Sequence, residues 1–327
     1  MYAACAIYKN FHLACPCPAP MSCAGQGQAA SNFFLPPGRV HARRSARTAQ
    51  GRLCRDIRNM TLSSALTSQI LSYLNCGREK PSIRYLNQLI RAYIRHVPWE
   101  SVSRIVKRNT TPETELCPRL PDEFWQEALK YGTGGTCFEN NLAFFTLLNG
   151  LGFEGYLTIN DMENPACHTA SIITLKGQKY LADVAIPIHT ALPIYDDRIS
   201  RRSNEFHQYT IRSIGKHRYS IERSHHPKRK IFTLIDTPIP LEKYREAVKR
   251  DYEETGYFLD RVIIVKVIGN RLWRFSSVDI PFKLESFDKT SKQEMLLETN
   301  LLAESISEHF EIDRDKIEMA LSYKHIV

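Results

Sequence analysis

The stretch YGTGGTCFENNLAFF, residues 131–145, places a cysteine directly behind two glycines and at the head of an apolar run. Two readings compete for Cys137. One is a small buried thiol behind a turn, the commoner fate of a free cysteine. The other is a nucleophile at a helix N-terminus, where unpaired N–H groups and the positive end of the helix dipole favour the thiolate. Gly134 and Gly135 permit a tight entry and a close approach to the backbone. Backbone N–H groups near Cys137 could also stabilise an oxyanion. A nucleophile of this kind needs a base, and the base needs an orienter.

Both residue types follow in CHTASIITLKGQKYLADVAIP, residues 167–187. His168 opens one β-branched run. Asp183 ends the next, Tyr180-Leu181-Ala182, where a charge without a partner is costly and an imidazolium is the natural one. Direct pairing of positions 168 and 183 centres the turn on Leu175–Lys176, whereas turn chemistry points to Gly177; a bulge or strong twist would reconcile the two. Cys167 reads as a core filler. Glu139 and Asn141 read as hydrogen-bonding residues that lock the helix start.

Upstream of this stretch the pattern is helical. Leu62, Leu66, Ile70 and Leu74 recur four apart before Gly77. Ser82 is a candidate N-cap for the stripe Ile83, Leu86, Ile90, Ile94 and Val97, which Pro98 breaks. PDEFWQEALKYG, residues 121–132, opens on proline and two acids and closes on glycine, and the next helix runs from Cys137 through Leu148 to the glycines at 150 and 152. Downstream of 153 the period shortens. The runs at 155–161, 168–175, 179–186, 207–214, 217–223 and 230–236 are β-branched and aromatic, implying an antiparallel sheet or barrel. A charged connector at 241–258 leads to strands around Val262–Val267 and Leu272–Phe275, then to a helical segment with Met295, Leu296, Leu301, Leu302, Ile306 and Phe310. Helices, then strands, then a smaller mixed unit give an α+β class rather than a doubly wound sheet.

Of the 327 residues, the first 59 stand apart. They carry Lys9 and seven arginines against Asp56 alone, which accounts for seven of the nine net positive charges. They also hold five of the nine cysteines, including Cys15-Pro-Cys17, a weak metal pair without a nearby histidine. This segment reads as disordered, as a mitochondrial transit peptide, or as translated sequence upstream of a start at Met60. The nearly neutral body argues against nucleic acid, and no apolar run is long enough for a membrane span. Four dispersed cysteines in the body, at 76, 117, 137 and 167, suit a reducing compartment, and hence the cytoplasm unless residues 1–59 are a true transit peptide. The basic run at 216–230 reads first as a solvated surface, second as a contact for phosphates.

GGTCFENN, CHTASIITL and YLADVAIP resemble the three catalytic motifs of the arylamine N-acetyltransferases, a likeness covering residues 60–327 and most specific over 85–185. HVPWESV is similar to that family's Pro-Phe-Glu-Asn segment, with Pro98 and Glu100 matching. The resemblance implies a helical bundle at 60–152, a β-barrel at 153–240 and an α/β lid at 259–327, with a papain-like triad of Cys137, His168 and Asp183. It implies ping-pong transfer from acetyl-CoA or another short acyl-CoA, without a metal, to an arylamine or hydrazine, and a detoxifying role. His168 would pair with Cys137 and shuttle protons, and Asp183 would hold the imidazole. Three departures bear on the pocket. Thr133 stands where the family usually has Arg, Ala185-Ile186-Pro187 where it has Gly-Phe-Gly, and Ser101 where Asn is common. Two other functions fit the residues: a cysteine peptidase or transglutaminase-like hydrolase with the same triad, and a non-catalytic paralogue that binds a ligand.

Overall fold

Helix α1, Ser64–Tyr73, begins where the Ser63 hydroxyl accepts from the Leu66 N–H at 3.1 Å, and α2, Ile83–His96, begins at Ser82, which accepts from the Tyr85 N–H at 3.1 Å. Both bonds satisfy N–H groups that a helix start leaves unpaired. The computed structural model describes residues 60–204, 206–223, 230–254 and 256–326. The arginine-rich segment 1–59, with its Cys15-Pro-Cys17 pair, and residues 224–229 of the basic run lie outside the described residues. Leu86, Ile90, Ile94 and Val97 are buried as the stripe requires, while Ile83, at the first position of α2, is exposed.

After α2 the chain makes a two-residue strand, β1 (Trp99–Glu100), and helix α3 (Val102–Thr110), neither of which the periodicity announces. Helix α4 (Pro121–Tyr131) has Pro at its first position and ends on Gly132 in the left-handed region. Helix α5 (Cys137–Gly150) is buried along nearly its whole length, including Glu139, Asn140 and Asn141.

Two four-stranded antiparallel sheets follow. The first runs in the order β2 (Glu154–Asn160), β3 (His168–Leu175), β4 (Gln178–Ala182), β5 (Leu192–Pro193). The second is β6 (Ser200–Ser203), β7 (Gln208–Gly215), β8 (Arg218–Arg223), β9 (Lys230–Ile235). They do not close into the barrel that the resemblance implied. At one seam β2 meets β9 through a single antiparallel bridge, Asp161 to Thr233, in place of a ladder. At the other, β5 is two residues long, and among the described residues no ladder joins it to β6.

Helix α6 (Leu241–Arg250) occupies the stretch read as a connector, with Leu241, Tyr244, Ala247 and Val248 buried. The last sheet is five-stranded in the order β1, β10 (Ile263–Ile268), β11 (Arg271–Ser276), β12 (Lys283–Phe287), β13 (Lys292–Leu296). Met295 and Leu296, counted above with a helix, lie on exposed edge strand β13; the helices are α7 (Leu302–Phe310) and α8 (Arg314–Tyr323). These pack with α3 over a second apolar core of Val102, Ile105, Ile264, Phe275, Ile306 and Phe310. The larger core joins α1, α2, α4, α5 and the two four-stranded sheets. The class is mixed α+β. No helix among the described residues is long and apolar enough to cross a membrane.

The β3–β4 hairpin resolves the register question. Leu175 pairs with Gln178 around Lys176 (φ 50°) and Gly177 (φ 79°), a two-residue turn with both central residues left-handed. Turn chemistry therefore points to the right place, and no bulge is needed. Gly177 has nothing within 4 Å of an added Cβ, so its value is conformational alone. Gly177→Ala is expected to cost about 1–2 kcal/mol, the left-handed penalty of a residue with a Cβ, measured as a shift in urea unfolding midpoint.

Candidate active site

With Ala182 opposite Ser171, position 183 falls opposite Ala170, two residues along the same face from His168. The pair thus meets on the diagonal, His168 Nε2 lying 2.6 Å from Asp183 Oδ2, both side chains buried. Since a carboxylate only accepts, Nε2 carries the proton and Nδ1 is left for another partner. The other carboxylate oxygen, Oδ1, accepts from the Ala185 N–H at 3.0 Å, the Ile186 N–H at 3.3 Å and Asn141 Nδ2 at 3.0 Å. The altered Ala185-Ile186-Pro187 segment thereby holds the aspartate through its backbone. Phe232 closes against the imidazole edge-on, with ring centroids 5.3 Å apart.

Cys137 is the first residue of α5, and its Sγ lies 3.7 Å from the carbonyl oxygen of Cys167, the residue before His168. Asn141, one turn along the same helix, ties the two strands to it: its Nδ2 donates to the Thr169 carbonyl at 2.8 Å as well as to Asp183, and its Oδ1 accepts from the Val184 N–H at 3.2 Å. His168 and Asp183 are thus bound to each other, and Asn141 ties Asp183 and the Thr169 carbonyl to the helix that begins at Cys137. Burial pushes the Cys137 thiol well above its ordinary value, Asp251, Cys167 and Asp183 add to the push, and Arg104 opposes it. Among the described residues, no group of three or more His, Cys, Asp and Glu side chains is gathered in a way that could hold a metal ion.

The two glycines are demanded by crowding. A Cβ on Gly134 would stand 1.8 Å from the Pro98 carbonyl oxygen, and one on Gly135 2.7 Å from Glu139 Oε2 and 2.9 Å from Arg119 Nη2. The Glu100 N–H donates to the Gly135 carbonyl at 3.0 Å, while Glu100 Oε1 accepts from the Gly134 N–H at 3.0 Å and the Ser103 hydroxyl at 2.6 Å. Ser101, in place of the common Asn, spans to β10: its hydroxyl donates to the Arg261 carbonyl and accepts from the Ile263 N–H. Asn140 Nδ2 donates to the Gly135 carbonyl at 2.6 Å, and its Oδ1 accepts from Tyr93 OH at 2.9 Å.

Sequence reasoning missed the arginines that hold this turn. Arg119, from the loop before α4, donates to the Gly134 carbonyl at 2.7 Å and to Glu139 through two bonds of 3.0 and 2.9 Å. Glu139 also accepts from Tyr252 OH at 2.7 Å. Burial pushes the Glu139 carboxyl up, but Arg119 and its hydrogen bonds, with Arg104 and Tyr252, bring it below the ordinary value. The neighbouring Thr133 hydroxyl is buried without a hydrogen-bond partner. On the other side, Arg104 donates to the Thr136 hydroxyl at 2.7 Å and to Asp251. Tyr244 donates to the Phe138 carbonyl. The signal for α6, apolar Leu241, Tyr244, Ala247 and Val248 at helical spacing, was present but outweighed by charge.

The family model described as N-acetyltransferase matches residues 82–318. No protein of curated function matches the chain significantly in sequence. Among solved structures the fold is similar to the arylamine N-acetyltransferase of Mycobacterium abscessus, at 17% identity and a TM-score of 0.66, covering 79% of this chain and 94% of that one. It is similar to the Mycobacterium marinum enzyme in complex with CoA, at 15% identity and a TM-score of 0.66, covering 80% and 99%. A Bacillus cereus arylamine N-acetyltransferase described as having a Cys-His-Glu catalytic triad matches at 17% identity and a TM-score of 0.62, covering 77% and 100%. At these identities the likeness is one of fold.

Arg119→Met should leave the Glu139 carboxylate buried without its cation, at a cost of about 3–5 kcal/mol in urea unfolding. The lowered Glu139 carboxyl contributes stability that is present above the ordinary carboxylate range and lost as pH falls through its folded value. The variant's deficit is therefore greatest at neutral pH and shrinks on acidification.

Proposed function

The chain belongs to the arylamine N-acetyltransferase family, and on that premise we propose that it is an acyl-CoA-dependent N-acyltransferase working through an acyl-thioester on Cys137. The observation that carries the reading is the 2.6 Å His168–Asp183 pair, tied by Asn141 to the helix that begins at Cys137. His168 Nδ1 takes the thiol proton, and the Cys137 sulfur attacks the thioester carbonyl of the donor. The tetrahedral intermediate expels CoA as its thiolate, which recovers the proton from the imidazolium. An arylamine or hydrazine nitrogen then attacks the acyl-enzyme, loses a proton to His168, and the Cys137 sulfur leaves with that proton. Asp183 holds the ring so that Nδ1 is the nitrogen that cycles.

The start of α5 supports the developing oxyanion. Thr136, the cap residue, makes no side-chain cap bond, because Arg104 engages its hydroxyl. The first-turn N–H groups are thus not capped by that side chain and can receive negative charge. CoA bound to the Mycobacterium marinum enzyme supports an acyl-CoA donor. A detoxifying transfer to aromatic amines, in the cytoplasm where free thiols persist, is the role we assign.

Intact-mass spectrometry of the full chain after mixing with acetyl-, propionyl- or malonyl-CoA tests this. The expected result is an increment of one acyl group, absent in Cys137→Ala and discharged by added arylamine or hydrazine. No adduct with any donor, from folded protein whose thiol still alkylates, would sink the transferase reading in favour of a cysteine hydrolase. An inert thiol would leave a binding protein.

A further inference from the structure

The C-terminal sheet ends in an open edge. Strand β13 (Lys292–Leu296) pairs in unbroken register with β12, and among the described residues no strand pairs with its other side. Its backbone runs on in the same register: the Leu297 N–H donates to the Phe282 carbonyl at 2.9 Å, and Glu298 is extended, with φ −78° and ψ 132°. Because bonding directions alternate along an antiparallel ladder, positions 293, 295 and 297 turn their N–H and C=O groups toward β12. Lys292, Glu294 and Leu296 turn theirs outward, as Glu298 does its N–H; its carbonyl accepts from the Leu301 N–H at 3.1 Å. Gln293, Glu294, Met295 and Leu296 are exposed, Met295 by 47% and Leu296 by 68%. The strand has neither proline nor bulge. By contrast, edge strand β5 is two residues long, and β6 carries exposed Arg201 and Arg202. A regular apolar edge left without such a block is a template for another strand.

We propose that β13 docks on β13 of a second copy, the two strands running antiparallel about a two-fold axis at Met295 and joining two five-stranded sheets into one. The outward-turned positions are symmetric about residue 295, so a two-fold there brings outward groups to outward groups. It sets Lys292 opposite Glu298 of the partner subunit, and Glu294 opposite Leu296 of the partner subunit. Opposite charges therefore meet at both ends of the paired segment. An axis at Glu294 would set that carboxylate against itself, and one at Leu296 would set it against Glu298 of the partner subunit, both repulsive. An axis at Gln293 would draw in Thr290, in the turn folded around the Asp288 side chain. Met295 lies opposite Leu284 of the second apolar core, so at the axis two methionines extend that core from one copy to the next. The pair at 295 is also one whose backbone groups face away from the new seam, the kind that holds its side chains closest. One strand a side is small against the about 20–30 residues of a standard interface, so association is reversible and concentration-dependent.

The test is sedimentation equilibrium of the full chain, kept reduced, across the micromolar range. The mass should rise with concentration from that of one chain, 37.7 kDa, toward that of two. Met295→Lys, which places like charges together at the axis, should leave a monomer, and Glu298→Lys should weaken the dimer about tenfold. Register is read separately, by mild oxidation and peptide mass. Met295→Cys should link to itself across the axis, whereas Gln293→Cys, facing Leu297 of the partner subunit, should not. These positions are exposed, so the variants keep the fold. A single-chain mass throughout the range overturns the proposal. A dimer that survives Met295→Lys, or one with no 295–295 link, uses another face and overturns it equally. None of these readings involves an acyl donor, so their outcome is independent of the transferase reading.

Discussion

The backbone of Pro98 lies so close against Gly134 that this glycine has no room for a Cβ, and Glu139 and Arg119 fill the space beside Gly135. This contact is where the parts of the molecule meet. Glu100 carries one edge of β1, pairing with Ile264 of β10, and bonds on its other side to the Gly135 carbonyl. The C-terminal sheet is thus continuous through two residues of strand with the turn that delivers Cys137. A shift of β10 is transmitted to the helix start as a backbone displacement, because a packed interface offers no slack to absorb it.

Around that contact the protein buries charge. Glu100, Arg104, Arg119, Glu139 and Asp251, which bond to the turn before the helix, to its first residues or to one another, are all withdrawn from water. Isolated, each would cost several kcal/mol. Their mutual bonds offset the cost only in one arrangement, so the network specifies a geometry more than it adds stability. Arg119 reaches the Gly134 carbonyl from a loop fifteen residues earlier, while the neighbouring Thr133 leaves its hydroxyl unpartnered. Arg104 takes the hydroxyl that would otherwise cap α5. Both arginines therefore act on the turn from outside it.

The open pair of four-stranded sheets has a related logic. At one seam β5 is only two residues long, and among the described residues no ladder joins it to β6. At the other seam, the bridge of Asp161 to Thr233 is supplemented by single bonds, Ile235 N–H to Asn160 and Ile239 N–H to the Leu157 carbonyl. Among the described residues no uninterrupted ladder joins the two sheets, while His168 and Asp183 are carried at the open end of a hairpin, β3–β4, whose register is regular.

What the sequence determined by itself were the local features: the cap at Ser82, the extent of α5, the Gly177 turn, and the order Cys137, His168, Asp183. Each depends on residues within a few positions of one another, or on motif order along the chain. The short strands β1, β12 and β13 were not legible, since their pairing is decided by partners far along the chain rather than by alternation. The open sheets, the diagonal meeting of His168 with Asp183, and the roles of Arg104, Arg119 and Asp251 were decided only by tertiary structure. An arginine or aspartate in a charged stretch reads as surface in one dimension. It becomes part of a site only when folding removes its water and brings the one partner, often more than a hundred residues distant as Asp251 is from Arg104, that can replace it.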